Sequence, residues 1–412
     1  MTSRERVVTA INHKEPDKVP VDCGSMRSTG IHGVAYNGLK KYLNIQGGET
    51  KMYDVPQQLS IPEQWYLDKF KIDSIDFARG FADNPEDWKD WILPDGSPAK
   101  LPAWLNIQKK DDSWVCFNND GELCAEMPST SYYFDSKLWP LYGVEPKKFD
   151  DLGYQLSRSM WSYLSDPLWK NAGSPEFYTL LREKAKKMYE ETDYAMMIGF
   201  GGNLFEGGQF LYRTDEFLLN LLAYPDEMEV LIDKLTELHL QNLEPLLDAI
   251  SPYVQIIQFG DDLGTQSAPM LSPELYRKLF IPRQKKLFGK VKEKTDMAVF
   301  MHNCGAISEF LPDLIDAGLD IINPVQIGAT GMGPEKLKRE FGKDLVFWGG
   351  GVDTQHTLPL ADPQTVREEV KRNTEIFMKD GGFIFNQVHN IQAGIPPENI
   401  TAMYDEVNKI YY

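Results

Sequence analysis

His302 and Cys304 are separated by one residue and directly follow the apolar run Ala298–Met301. Side chains at i and i+2 of an extended segment share a face. An imidazole nitrogen and a thiolate sulfur can then converge on one ion, and zinc binds both donor types readily. The same spacing also suits a small buried cysteine beside a hydrogen-bonded core histidine. His389 follows another apolar run, Gly382–Phe385. With His302 and Cys304 it would give three protein ligands and one open position, the pattern of catalytic rather than structural zinc. A loop histidine capping the adjacent helix is the plainer alternative.

Asp261 and Asp262 follow Phe259-Gly260. Adjacent carboxylates point in different directions, so at most one faces a shared site. There it could donate a proton to a leaving group or touch the metal; otherwise it caps a turn or pairs with an arginine. Glu206, after Gly201-Gly202, has the same two readings. Arg27, in a glycine-rich crossing over residues 22–38, and Asn386, in the segment Asn386–His389, are the substrate-binding candidates, Arg27 for an anionic group. Gly349-Gly350-Gly351 lacks the Lys-Ser/Thr ending of a phosphate loop and the spacing of a dinucleotide fingerprint. It reads better as a tight turn ending at Asp353, or as a close backbone approach to a ligand.

The elements that must hold these groups repeat along the chain. Short apolar runs at Ala195–Phe200, Val254–Phe259, Ala298–Met301, Ile321–Pro324, Leu345–Trp348 and Gly382–Phe385 read as strands. Amphipathic stretches between them, such as Asp226–Leu247, Ser272–Lys294, Pro334–Phe341 and Pro363–Lys379, read as helices. Such alternation implies a parallel sheet. Val19–Val21 and Ile72–Asp76 bring the strand count to eight, which favours a (β/α)8 TIM-like barrel with its active groups after the strands, where the residues above fall. Thr2 and Glu5 have capping-box spacing for a first helix, which reads as the start of a mature protein without a signal peptide.

Residues 84–150 differ in character. They carry Trp88, Trp91, Trp104 and Trp114 and two turn signals, Pro94-Asp95-Gly96 and Asn119-Asp120-Gly121. Trp114–Phe117 and Leu123–Ala125 flank the second turn as a hairpin would. We expect a β-rich insertion within one barrel domain spanning residues 1–412, its tryptophans lining the approach to the site.

The 412 residues carry 43 Lys+Arg against 61 Asp+Glu, a formal charge of −18. That charge repels phosphate backbones and anionic lipid heads, so nucleic acid is not an expected partner. No apolar run reaches the roughly 18 residues of a membrane span. Four cysteines are too few for a disulfide scaffold at this length, and reduced thiols in a cytoplasmic protein are expected.

The segments Val19–Asp22, Gly260-Asp-Asp-Leu-Gly-Thr-Gln266, Leu271–Tyr276, His302–Gly305, Trp348-Gly-Gly-Gly-Val-Asp353 and Gly394–Asn399 together resemble the uroporphyrinogen decarboxylase superfamily, in particular its corrinoid-linked methyltransferase branch. The resemblance runs in order from the first helix to the C-terminus, and only 84–150 looks private. It implies a distorted (β/α)8 barrel with the site at its C-terminal mouth, and zinc on a His-x-Cys pair, here His302 and Cys304, plus a distant cysteine. His389 stands where that cysteine is expected. Two thiolates and one imidazole leave zinc formally neutral, whereas one thiolate and two imidazoles leave it at +1. The more positive ion polarises an ether oxygen better and damps a bound thiolate.

The implied function is therefore transfer of a methyl group from an O-methyl or N-methyl donor, such as a methoxylated aromatic, to the Co(I) corrinoid (cobalamin) of a partner protein. Asp261, Asp262 or Glu206 would supply a proton. A homodimer is the implied assembly. The alternatives are methylcobalamin:thiol methyl transfer of the coenzyme M type, uroporphyrinogen decarboxylation, and a non-catalytic small-ligand-binding barrel. The decarboxylase holds its substrate's propionates with an arginine pair, of which Met26-Arg27-Ser28-Thr29-Gly30 keeps only the first member.

Overall fold

Thr2 and Glu5 exchange side-chain and backbone hydrogen bonds, the reciprocal cap that starts the first helix, Ser3–Ile11. The computed structural model describes residues 1–81, 84–164, 169, 172, 174 and 176–412. Seven strands form one parallel sheet: β1 Ser74–Asp76, β2 Ala195–Gly201, β3 Ile256–Gly260, β4 Ala298–His302, β5 Ile321–Asn323, β6 Val346–Trp348 and β7 Phe383–Ile384. Their spatial order follows the chain, β7-β6-β5-β4-β3-β2-β1. The eighth expected strand is reduced to a bridge between Val21 and Phe385. It still spans the gap between the outer strands: the Asp22 amide donates to Phe385 (2.9 Å), Phe385 to Pro20 (2.8 Å) and Asp73 to Val21 (2.7 Å). The sheet is thus curled into a TIM-like α/β barrel.

Strand alternation sorts the side chains into two layers. Met197, Ile256, Ala298, Phe300, Ile321, Val346, Trp348 and Ile384 point inward and pack together, and Val7 and Ala10 of the first helix join them. Ile198, Ile257, Val299, Met301, Ile322, Phe347 and Phe383 point outward into the larger cluster shared with the helices. Continuing the inward register beyond each apolar pair places Gln258 and Gly260 on β3, His302 on β4 and Asn323 on β5 at the barrel's C-terminal mouth. The strand pairing sets Gly260 beside His302 and His302 beside Asn323.

The expected helices recur with small shifts, as Pro225–Ile250, Pro334–Phe341 and Pro363–Phe377. The stretch read as one helix over Ser272–Lys294 is two, Pro273–Leu279 and Ile281–Lys294. Pro282, which has no amide hydrogen, sits at the start of the second. The glycine triplet makes the tight turn: Gly349 and Gly350 have φ of 111° and 80°. A Cβ on Gly351 would stand 2.2 Å from the Phe385 ring.

The insertion is antiparallel β. Trp88–Ile92 pairs with Pro98–Pro102 around Pro94–Gly96, and Ser113–Phe117 pairs with Leu123–Pro128 around Asn119–Gly121. A further hairpin joins Asn106–Lys110 to Ser113–Phe117, with Asp111 at φ 52° in its turn. Its core of Trp91, Leu101, Cys116, Cys124 and Met127 also takes in Met160 and Leu164, beyond the expected boundary at 150.

Candidate functional site

His302 ends β4 on an inward position, with its side chain largely covered. Its Nδ1 lies 2.8 Å from Asn323 Oδ1 and 2.9 Å from Ser28 Oγ. The other half of the Asn323 amide, Nδ2, donates to the Trp348 carbonyl at 2.8 Å. That bond turns Oδ1 toward the imidazole as an acceptor, so Nδ1 carries the proton and Nε2 keeps its lone pair. Behind this, Trp348 Nε1 donates to the buried Asp22 at 2.9 Å. Supporting bonds of this kind orient metal-ligating histidines.

Cys304 Sγ lies 3.3 Å from His302 Nε2. The His389 ring is 5.6 Å from the His302 ring, centroid to centroid, at 68°. One donor atom from each of His302, Cys304 and His389 falls within 4.8 Å of the others. Zinc bonds of about 2.0–2.3 Å set ligand atoms about 3.3–3.8 Å apart, so the His302–Cys304 separation already matches two ligands of one ion. Burial and then the neighbouring His302 press the His389 pKa down to about 4, which keeps its imidazole neutral and able to donate a lone pair. Burial, Asp262 and Glu206 push the Cys304 thiol well above its ordinary range. A thiol in that setting ionises readily only beside a cation. The donor set and its spacing therefore fit zinc.

The two aspartates part company, as neighbouring residues must. Asp262 lines the mouth cavity: its Oδ1 accepts the Cys304 amide at 2.8 Å and lies 3.5 Å from His302 Nε2. Asp261 turns into the protein, where it is 1% exposed. It accepts the amides of Leu204 (3.1 Å) and Glu206 (2.9 Å) at the start of the helix Phe205–Tyr212. Burial lifts its pKa to about 7. The expectation of a proton-donating role for Asp261 meets a carboxyl already engaged by backbone and absent from the cavity wall.

Glu206 does line the cavity. Asn203 Nδ2 donates to its Oε2 at 2.7 Å. Burial first, then Asp262 and Asp261, hold its carboxyl well above the usual range, which favours the protonated form. Among the described residues of the cavity it is the group best prepared to give up a proton.

Of the two substrate-binding candidates, Arg27 lies on the cavity wall and Asn386 does not. Arg27 Nε is 2.8 Å from a carboxylate oxygen of the buried Asp54, so its charge is met from within the fold. Asn386 is fully buried beneath the site, donating to the Asp22 carbonyl (3.2 Å) and to Gln387 Oε1 (3.0 Å). Packing over it removes it from reach of a ligand.

The cavity holds about 570 Å³ and runs from His302, His389 and Asp262 to an aromatic lobe that includes Phe200, Phe210, Trp161 and Tyr178. Pockets of roughly 300–1,000 Å³ are the size of small-molecule sites. The insertion's tryptophans, expected along the approach to the site, do not reach the cavity wall itself. Trp88, Trp91, Trp104 and Trp114 are not on the wall; Trp91 and Trp114 meet each other at 4.4 Å between centroids. Trp161, which packs against the same core, faces the cavity instead. Sequence reasoning also passed over Gln258, Asn203 and Phe210. Gln258 was findable as an inward polar residue in an apolar strand, and Phe210 as the residue one helical turn beyond Glu206.

A barrel of this topology, with its reactive groups after β2, β3, β4 and β7, invites comparison with known proteins. The profile of the family Uroporphyrinogen decarboxylase (URO-D) matches residues 177–410. The chain belongs to the uroporphyrinogen decarboxylase family. Curated relatives include the uroporphyrinogen decarboxylases of Geobacter sulfurreducens, 27% identical over 224 residues, and of Trichlorobacter lovleyi, 28% identical over 226 residues. Each match covers 52% of this chain and 60% of the relative's own length. A solved methyltransferase from Methanosarcina mazei superposes over 99% of both chains with a TM-score of 0.57 and 16% identity, a likeness of fold. His302, Cys304, His389, Asp262 and Glu206 all lie inside the family match, whereas the β-rich insertion, Arg27 and Trp161 lie outside it.

Proposed function

We propose that this member of the uroporphyrinogen decarboxylase family is a zinc-dependent methyltransferase that moves a methyl group from an O-methyl donor to the Co(I) corrinoid of a partner protein. The observation that carries the reading is the convergence of His302, Cys304 and His389, of which the two histidines line a small-molecule cavity, beside the Glu206 carboxyl, whose pKa burial raises well above the ordinary range. Zinc held by these three side chains supplies Lewis acidity at the donor oxygen.

The chain's own residues account for the rest. Asn323 and Ser28 hold the His302 ring with Nε2 facing the cavity. Asp262 fixes the backbone of Cys304 through its amide. Glu206 delivers its carboxyl proton to the oxygen that loses the methyl group, so that the product leaves as an alcohol or phenol rather than an anion. Phe200, Phe210 and Trp161 exclude water from that oxygen. The surface at the mouth would receive the corrinoid protein.

Tetrapyrrole decarboxylation is less well supported, because the one arginine on the described cavity wall is ion-paired to Asp54. The test is methyl transfer from a methoxylated aromatic to chemically reduced cobalamin, followed by the absorbance of methylcobalamin. Transfer supports the reading. Activity only from methylcobalamin to a thiol reverses the direction of transfer and overturns it.

A further inference from the structure

We infer that Tyr133, on the β-rich insertion, is a positioning residue for the metal centre: its hydroxyl sets the sense of a chain of side-chain amides, Gln392 and Asn390, that holds the third ligand, His389. The inference rests on the metal site of the methyl-transfer reading and deepens it. The chain can be followed bond by bond. Tyr133 Oη donates to Gln392 Oε1. Gln392 Nε2 donates to Asn390 Oδ1 at 2.7 Å, and Asn390 Nδ2 donates to Gln57 Oε1 at 2.8 Å. Asn390 is fully buried, and its side chain also accepts a hydrogen bond from the His389 imidazole. Gln57 and His389 both line the cavity.

The sense of the chain matters because an amide offers an acceptor at one end and donors at the other. With Oε1 held on the Tyr133 hydroxyl, Gln392 must turn Nε2 to Asn390, and Asn390 must turn Oδ1 to Gln392 and His389. Burial raises the pKa of the phenol, which keeps it a donor. Without the hydroxyl, Gln392 is free to turn its oxygen toward Asn390. Asn390 would then turn its amide nitrogen toward His389, donor against donor, and the ring would have to rotate or change tautomer. The partner of a ligating histidine's other nitrogen sets both.

The fold holds Tyr133 firmly enough for this task. The Phe134 amide donates to the Pro56 carbonyl at 2.9 Å, next to Gln57. The Tyr133 ring meets the ring of the buried His32 at 6.0 Å between centroids and 65° between planes. A thiolate has no ring to orient, so the support is needed only because residue 389 is a histidine. The insertion thus reaches the metal centre through hydrogen bonds, although its tryptophans stay off the cavity wall.

The test is zinc affinity by chelator competition on the purified full-length protein, with no methyl donor or corrinoid present. Tyr133→Phe keeps the ring beside His32 and removes only the hydroxyl. It should weaken zinc binding by about tenfold, the lower end of what a lost supporting partner costs. Gln392→Leu should do the same, and the double variant should lose no more than Gln392→Leu alone, because the hydroxyl acts through that amide. In a His389→Cys background Tyr133→Phe should leave zinc affinity unchanged, which a general loosening of the insertion would not do. Unaltered affinity in Tyr133→Phe, additive losses in the double variant, or an equal loss in the His389→Cys background each overturns the inference. Zinc binding is read without turnover. The expected affinities without methyl transfer would sink the methyl-transfer reading alone, and transfer by a protein whose zinc affinity ignores Tyr133 would sink this inference alone. A wild-type protein that binds no zinc sinks both.

Discussion

The amide oxygen of Asn323 lies 2.8 Å from Nδ1 of His302, and the same amide is locked by a bond to the Trp348 carbonyl. The pair decides which imidazole nitrogen is free. Replacing Asn323 with alanine removes the acceptor and leaves the ring free to turn or to change tautomer. Loss of such a supporting partner costs about 10–100-fold in metal affinity. We expect Asn323→Ala to weaken zinc binding by that amount in a chelator competition, with His302 and Cys304 intact. Unaltered zinc affinity would mean that Ser28, 2.9 Å from the same nitrogen, suffices.

The three-ligand site makes a quantitative demand on stoichiometry. Wild-type protein should hold one zinc per chain by elemental analysis, and His302→Ala or Cys304→Ala should strip most of it. His389→Cys is more informative. It keeps three ligands but turns a formal +1 centre into a neutral one, so zinc should stay while transfer from an ether donor falls. Full zinc retention in both alanine variants would remove the metal from the site.

Glu206 should control the alkaline side of the pH profile. An acid must be protonated to work, and burial beside Asp262 raises the pKa of this one. Activity should therefore be held below the raised value and be lost as pH climbs through it. Glu206→Gln should lower kcat by about 10²–10⁴-fold and flatten that limb. A retained alkaline limb in the variant would mean that Glu206 is not the proton donor.

Much of this fold was legible because barrel strands announce themselves. Ala298–Met301 and Leu345–Trp348 are short, apolar and followed by reactive or small residues, and they became β4 and β6 with boundaries shifted by one residue. The three metal-ligand candidates were legible for the same reason: residue type and strand end coincide. Asn386 shows the limit. It sits in the same loop segment as His389, but depth in the fold separates them, and one-dimensional spacing carries no depth. The cavity's aromatic wall was hidden for another reason. Trp161 reaches the site only because the insertion's core, closed by Met160 and Leu164, holds its segment against the barrel. That is a tertiary contact with no local signature. The hairpin around Asp111 was missed because its turn has no glycine, although Asp tolerates the left-handed backbone that the turn needs.

Asp261 supplies the sharpest contrast between a structural and a chemical carboxyl. Its oxygens accept the Leu204 and Glu206 amides, so it fixes the helix that carries Glu206 rather than meeting substrate. Removing both bonds in Asp261→Ala should destabilise the protein by on the order of 2–4 kcal/mol. The Asp261→Asn variant keeps the shape and one acceptor, and should retain most of the activity that Glu206→Gln loses. Its pH dependence is a second readout. Burial raises the folded pKa from 3.8 to about 7. The carboxyl's contribution to stability is then whole below 3.8 and is lost as pH rises through 7, where the charged form must stay buried. The asparagine has no charge to bury. The melting temperature of wild type relative to Asp261→Asn should therefore fall between pH 4 and pH 7 and level off above it. A difference that stays flat across that range would mean that the carboxylate is ionised throughout, held so by the two amides. A loss of activity in Asp261→Asn equal to that in Glu206→Gln, at unchanged melting temperature, would return Asp261 to the chemistry.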